Sequence, residues 1–583
     1  MMDPYDPILD QPHVIEVDAV TDHVRYRMAN QDILFLTDAN SDLYGLDWPW
    51  AGERYVRSIV MSIHDPIGEE LMTLVTRHYP GYQETILGNE GMIISKRITA
   101  PVGSHYDRAV LWTLECQAEG DRLLRLDIEI DWGGPLTQRI VDGLLVAQIN
   151  PKRAQGIYKQ RNADRTCVYG NPQGRPTSYE FDDEGRATLT YYVLVNGIVE
   201  VPLLLTVSDV GEQVAWNGFL ALRDTEREFE ASAKHWELAV KSGRLWTSSP
   251  RLNRAVQEGR LECLRTTQRM RTGYAPTSRL ISDVPAHVDC LDVFDVTLSR
   301  NMLANLRRVA EKGEGRIPEF FPVRPKDRID DPGDQVIQTN SAYLQTLYRH
   351  LSRRPDAELL DTHMAAVRLC AESLIRLRRH AEHLTTEQGP YDVIARSLGA
   401  AASLAAIAGD DVNAARWESE ARFYDQAGGA SPPALSRRAE QWLQASGWHC
   451  PEDAPCGFAE SNHGIQLSGE AAWSITGLKW QSDGLWVYPM RVSDIRWWAL
   501  MDFPMGDGAI SMVWDGTTLY TTMAVQSDQP VQICEQVRVR NAEEHNFDLR
   551  FDITLSAGPQ GESGEVDSEI IYFRPTFDQG DGE

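Results

Sequence analysis

Residues 224–259 read DTEREFEASAKHWELAVKSGRLWTSSPRLNRAVQEG. The first twenty are charged and helix-favouring and stop at Gly243, a residue type that commonly ends helices. At this stretch the spacing of apolar residues changes. Upstream the period is two: Leu124, Leu126, Ile128 and Ile130 alternate with Arg125, Asp127, Glu129 and Asp131 before the turn at Trp132-Gly133-Gly134. Further on, TLTYYVLV and IVEVPLLLTV flank Asn196-Gly197, the favoured two-residue hairpin turn. Strands in such number with turn signals between them predict a β-sandwich over residues 1–222, followed by a linker helix over 223–245.

Downstream the period is helical. Leu298, Met302, Leu306 and Val309 share one face, and so do Tyr343, Leu347 and Leu351. The alanine-rich run ARSLGAAASLAAIAG ends at Gly409-Asp410 and predicts a closely packed, buried helix. Helices are expected over 246–480. After Asp483-Gly484 the alternation returns, with a hairpin expected at Asp515-Gly516 and a strand in which Phe547, Leu549, Phe551, Ile553 and Leu555 alternate with polar residues. A second β domain is expected over 481–583, with disorder in the Gly- and acid-rich tail from about Ala557.

The chain has 583 residues, more than one hydrophobic core supports. Its 57 Lys and Arg stand against 85 Asp and Glu, a formal charge of −28. Such a surface repels phosphate backbones and anionic headgroups, which excludes nucleic acid and membrane surfaces as expected partners. No apolar run reaches spanning length, and MMDPYDPILDQPHVIEV lacks the basic start and apolar run of a secretion signal, so a cytoplasmic location is expected. Eight cysteines in so long a chain are read as reduced thiols. Neutral ligands remain, and 16 Trp and 20 Tyr offer flat rings suited to sugars, although most such rings build cores.

Phosphate-cradling, HExxH and paired CxxC motifs are absent. His380 and His383 share a helical spacing, but among Arg376, Arg378, Arg379 and Glu382 they read as a solvated face. No metal and no cofactor are expected. The notable groups are acids between helices. SDVPAHVDCLDVFD carries Asp283, Asp289, Asp292 and Asp295 ahead of a helix expected to begin near Leu291, more acids than capping requires. GEGRIPEFFPVRPKDRIDDPGDQ places Glu319 between Pro318 and Phe320, in a loop long enough to form a binding mouth. HLTTEQGPYD carries Glu387, and CPEDAPCGFAESNHG carries Glu452 and Glu460 beside Trp448, Asn462 and His463. Glycoside cleavage needs two carboxyl groups from separate segments facing one sugar, one protonated and one ionised.

The order of sandwich, linker helix, helical domain and second β domain resembles the six-hairpin glycosidase superfamily, which includes glucoamylases, maltose-type phosphorylases and α-L-rhamnosidases. HWELAVKSGRLWTSSPRLNRAVQEG resembles its linker and first barrel helix, GEGRIPEFFP its G-x-I-P turn, GDDVNAARWESEARFYD a later hairpin helix, and SNHGIQLSGEAAWSITGL its last barrel helix. The resemblance implies an N-terminal β-sandwich, an (α/α) toroid and a C-terminal β-sandwich. Only eight or nine of a full toroid's twelve helices are legible, so a shortened toroid is expected.

By position Glu387 resembles the superfamily's general acid, with Thr386 where a tryptophan often stands, and Glu460 falls near its second carboxylate. The resulting expectation is an inverting glycoside hydrolase acting on a small glycoside, with Glu387 as acid and Glu460 as base. Asp283, His287, Asp289, Asp292, Glu319 and His463 would bind hydroxyls, and Trp448 or Phe320 would stack on a ring. Inversion implies carboxyl groups roughly 6.5–9.5 Å apart. The alternatives are a phosphorylase, with Arg324, Lys326 and Arg328 holding phosphate, or a non-catalytic carbohydrate-binding or assembly protein whose β domains form homo-oligomer contacts.

Overall fold

The computed structural model describes residues 15–17, 26–48, 53–66, 70–103, 106–148, 165–322, 332–381, 391–422, 458–481, 484–487, 495–505, 508–514, 519–525, 532–540, 546–554 and 570–572. An N-terminal antiparallel sheet is built on two long strands, Ala109–Asp131 and Arg186–Ser208, paired along almost their whole length. The first half of Ala109–Asp131 also pairs with Met92–Thr99, and its second half with Glu53–His64. Each long strand therefore serves both halves of the sandwich. Ile94, Trp112, Leu114, Leu126, Ile128, Leu189 and Leu203 fill the space between them.

The Asn196-Gly197 hairpin expected from the sequence does not form. Residues 188–207 run as one strand whose pairing shifts register between Val195 and Gly197. Gly197, at φ 72°, supplies the left-handed residue that a bulge needs, and Gly120 at φ 88° lies on the partner strand close to the same shift. What decides between turn and bulge is the partner strand, where Asp121 lies 75 residues away from Asn196 in sequence.

The described helices are α1 (Glu212–Ala221), α2 (Thr225–Lys241), α3 (Pro250–Thr266), α4 (Val284–Phe294), α5 (Val296–Lys312), α6 (Val336–Arg353), α7 (Ala357–Ala381), α8 (Tyr391–Ile407), α9 (Asp411–Arg422) and α10 (Phe458–Thr476). The apolar stripes read on α5 and α6 are buried, as is much of α8. Helix α2 ends where Gly243, at φ 59°, touches the Val293 carbonyl so closely that a Cβ would lie 2.2 Å from its oxygen. Packing runs α10–α4–α6–α8 along one layer, with α3, α5, α7 and α9 outside it.

Two small sheets close the chain. One contains Trp498–Met505, Gly508–Trp514 and Leu519–Val525, and the other joins Gly484–Val487 to Gln532–Arg540 in parallel. Trp514 pairs with Leu519 across the expected hairpin, whose residues Asp515 and Gly516 lie outside the described residues. Arg244–Thr247, directly after α2, pairs with Trp498–Met505, and Trp498, Leu500, Phe503 and Met512 share the helical core. Ile570–Tyr572 pairs with Leu519–Val525. Among the described residues no helix is long and apolar enough to cross a membrane.

Inside the sandwich the Lys96 ammonium lies 2.6 Å from the Asp42 carboxylate, both buried, and the Met61 N–H also donates to that carboxylate. Removing one partner leaves a buried charge unpaired. Lys96→Met is expected to cost about 3–5 kcal/mol in urea unfolding. Asp42→Asn combined with Lys96→Met recovers most of that loss, and an unchanged midpoint in the single variant contradicts the assignment.

Candidate functional site

The connections between helices sort into two kinds. Asp295 alone separates α4 from α5, and three residues each separate α6 from α7 and α8 from α9. The described residues leading into α4 and α6 make longer connections: 267–283, and 313–322 with 332–335. Helices α4, α6 and α10 run parallel, since Asp289 and Asp292 of α4 meet Arg349, His350 and Arg353 late in α6, and Trp473 late in α10 donates to the Asp289 carbonyl at 3.1 Å. Their N-termini therefore share one end of the helical domain, and the long connections lead into that end. Loops of such length built on a rigid layer are where binding groups concentrate.

Two connections meet there directly. The Phe321 N–H donates to the Arg279 carbonyl at 2.8 Å, and the Ile281 N–H donates to the Glu319 carbonyl at 2.9 Å. This brings Asp283, Glu319 and Phe320 onto bridged segments. The Ser278 hydroxyl donates to the Asp283 carboxylate at 2.5 Å. Glu319 is exposed, and Phe320 is 43% exposed beneath the Arg279 guanidinium, 5.9 Å from the ring centre. Arg279 takes φ 62°, which strains a side-chain-bearing residue by the order of 1 kcal/mol and turns the segment toward Phe320. Its role was not legible, because nothing in an arginine codon's neighbours announces a left-handed backbone.

The G-x-I-P turn is braced from α6. The Ile317 N–H donates to the Asn340 side chain, whose amide donates to the Gly315 carbonyl at 2.7 Å, and the Thr339 hydroxyl donates to the Ile317 carbonyl at 2.7 Å. Gly315 has φ 79°, and a Cβ there would sit 2.2 Å from the Leu369 oxygen. The hairpin 267–276, which opens the connection to Asp283, is clamped to the sandwich. Arg269 bonds Asp32 and Asp107, Arg271 bonds Asp209, and the Tyr274 hydroxyl donates to Gln31 at 3.0 Å.

Three predicted sugar-binding residues are occupied internally. The acidic segment is not a loop: α4 begins at Val284, seven residues before the expected start, with Pro285 in the first turn where its missing N–H costs nothing. Asp289 accepts from Arg349 at 3.1 Å and Arg353 at 2.6 Å, and Arg353 stacks 4.7 Å over Trp473. Asp292 is 0% exposed and accepts from His350 Nδ1 at 2.7 Å. His287 lies under the first turn of α4, where its Nδ1–H donates to the Asp283 carbonyl at 3.0 Å and Nε2 lies 2.9 Å from the Thr266 hydroxyl. It supports the segment carrying Asp283 from beneath. Asp289 and Asp292 instead join α4 to α6, toward the end with the short turns.

Glu387 and Trp448 lie outside the described residues, as do Glu452, Arg324, Lys326, Arg328 and His383. Glu460 and His463 occupy the first two turns of α10, and their side chains lie outside the described residues. The described cysteines are free thiols.

Burial pushes His287 below its ordinary value and His363, which lies 2.8 Å from the Tyr343 hydroxyl, down to about 3. Burial alone would raise Asp292, but the His350 ring and the Arg353 guanidinium hold it below the usual carboxylate range. Between pH 6.5 and about 3 the unfolded chain protonates His363 while the folded chain does not, so stability falls as pH drops through that window. The contribution of Asp292 is lost only below the ordinary carboxylate range. His363→Gln is expected to flatten the pH dependence of the unfolding free energy by roughly 1.4 kcal/mol per pH unit between pH 6 and 4. An unchanged slope contradicts this.

No family model and no curated protein match this chain in sequence. Solved structures do match in shape. A putative kojibiose phosphorylase from human microbiome is 8% identical, with 97% of this chain and 99% of that one covered and a TM-score of 0.57. A bacterial glucoamylase complexed with acarbose is 12% identical, with 68% and 66% covered and a TM-score of 0.44. An α-L-rhamnosidase from Dictyoglumus thermophilum is 8% identical, with 87% and 84% covered and a TM-score of 0.36. With a large N-terminal antiparallel sheet, paired helices and small C-terminal sheets in that order, the chain shares the fold of the putative kojibiose phosphorylase.

Proposed function

We propose that the chain cleaves the glycosidic bond of a small glycoside or oligosaccharide, with inorganic phosphate as the attacking group. The observation that carries this reading is the helical end into which the long connections lead, in a chain similar over nearly its full length to a putative kojibiose phosphorylase. Glu387, four residues ahead of α8, is the general acid that protonates the departing glycosidic oxygen. A phosphate oxygen bonds to the anomeric carbon as the C–O bond breaks, giving a sugar 1-phosphate and a free alcohol. Arg324, Lys326 and Arg328, in the connection leading to α6, supply the positive charge that holds phosphate in an otherwise acidic protein.

Asp283 and Glu319 accept from sugar hydroxyls, and Phe320 offers its exposed face to a ring. Hydrolysis is the second reading, with water in place of phosphate and Glu460 as its base, assisted by His463 and Trp448. Neither reaction requires a metal or redox cofactor. The partner is a carbohydrate, and the surroundings are cytoplasmic, where phosphate is plentiful.

The test is a panel of α-linked disaccharides incubated with and without phosphate. Phosphorolysis gives sugar 1-phosphate only with phosphate present. It falls about 10²–10⁴-fold in Glu387→Gln and stays within a few-fold of the parent in Glu460→Gln. Free sugar released without phosphate, and lost in both variants, supports hydrolysis instead. Activity unaffected by either change overturns the assignment of both carboxylates, and no turnover of any glycoside overturns the catalytic reading.

A further inference from the structure

The sandwich contains a cavity of about 180 Å³ lined by Tyr55, Trp132, Pro135, Leu136 and Arg165 together with the Gly133-Gly134 turn. It lies at the end of the long strand Ala109–Asp131, in a different domain from Asp283 and Phe320. Trp132 is held in place: its indole N–H donates to Gln138 at 2.9 Å, and its backbone N–H donates to the Gly185 carbonyl at 2.9 Å. The Arg165 guanidinium lies 5.1 Å from the centre of the Tyr55 ring. Trp132, Tyr55 and Arg165 are all buried, whereas Gly133 and Pro135 reach solvent, so the turn forms the opening.

We propose that this cavity binds one neutral hydroxylated ring of monosaccharide size, separately from the catalytic end of the helical domain. Its volume is on the order of six waters, room for one such ring and not for two. Two aromatic side chains and a prolyl ring give apolar walls, while the guanidinium and the phenolic hydroxyl give directional donors. That combination of apolar walls with few convergent polar groups is the ordinary make-up of a small-ligand pocket. Burial holds the Tyr55 hydroxyl in its neutral form, so it is an uncharged donor beside Arg165.

Asp209 bonds Arg108 at 2.5 Å and Arg271 at 2.5 Å, and Arg271 belongs to the hairpin that opens the connection to Asp283.

Titration calorimetry on the full chain with glucose, galactose and mannose, and separately with inorganic phosphate, tests the proposal. Gly134→Leu is the informative variant, because a Cβ there meets nothing within 4 Å while Gly134 lines the opening. The expected result is a monosaccharide-binding event that weakens at least tenfold in Gly134→Leu, with the melting temperature and any glycoside cleavage unchanged. Arg165→Gln weakens the same event. Sugar binding equally strong in both variants overturns the proposal, as does an absence of binding at tens of millimolar. Phosphate binding tighter than sugar binding, and lost in Gly134→Leu, overturns the choice of ligand. Failure of the catalytic reading appears separately, as lost turnover with this event intact.

Discussion

Helix α10 can enter the layer only because glycines remove side chains where it crosses its neighbours. A Cβ on Gly259 of α3 would lie 2.2 Å from the Gly464 oxygen, and one on Gly469 would lie 2.8 Å from the backbone of Asp289 and Cys290 in α4. Side chains lock the approach once it is made: the Ser468 hydroxyl donates to the Val256 carbonyl at 3.0 Å, and Trp473 donates to the Asp289 carbonyl and carries Arg353 on its ring. Interiors packed at crystal density have no slack for an added methyl at either crossing. This contact brings residues 458–476 against residues 284–294. It sets the N-terminus of α10 at the same end as Asp283.

The two ends of the layer have different chemistry. Toward the short turns, Asp289 and Asp292 are tied to Arg349, Arg353 and His350, and Arg354 donates to the Asp292 carbonyl and to the Pro504 carbonyl in the C-terminal sheet. Ion pairs and buried hydrogen bonds there bind helices and sheet into one core. At the other end the polar groups brace loops: Thr339 and Asn340 hold the turn at Gly315, and His287 supports the segment bearing Asp283. The sandwich reinforces this end from outside through Asp32, Asp107 and Asp209. Part of the acidic excess is therefore engaged in holding domains together.

Elements with a solvent face were legible. Helix α5 shows its stripe of Leu298, Met302, Leu306 and Val309 because the opposite face carries Arg300, Arg307 and Arg308, and the second half of the strand Ala109–Asp131 alternates because one side is wet. Helix α4 was placed too late because no face of it is wet. Val284, His287, Val288, Asp289, Leu291 and Asp292 are all buried, so polarity does not track orientation. Of the candidate site, the bridged pair of Asp283 with Glu319 and Phe320 could be anticipated from acids near prolines in long connections. Arg279 and the sandwich clamp could not, since a backbone angle and contacts across 62 to 243 residues leave no local mark.

The sequence by itself determined the order of β, α and β regions, the acidic surface and the segments that carry candidate acids, because periodicity, charge and turn chemistry act between neighbours along the chain. Only the tertiary structure decided that Asn196-Gly197 lies at a register shift within one strand, that Asp289 and Asp292 face Arg353 and His350, and that Arg244–Thr247 joins the last sheet. Each of these depends on which distant segment arrives to satisfy a backbone or carboxylate group. That partner is chosen by packing of the whole core, which no local pattern encodes.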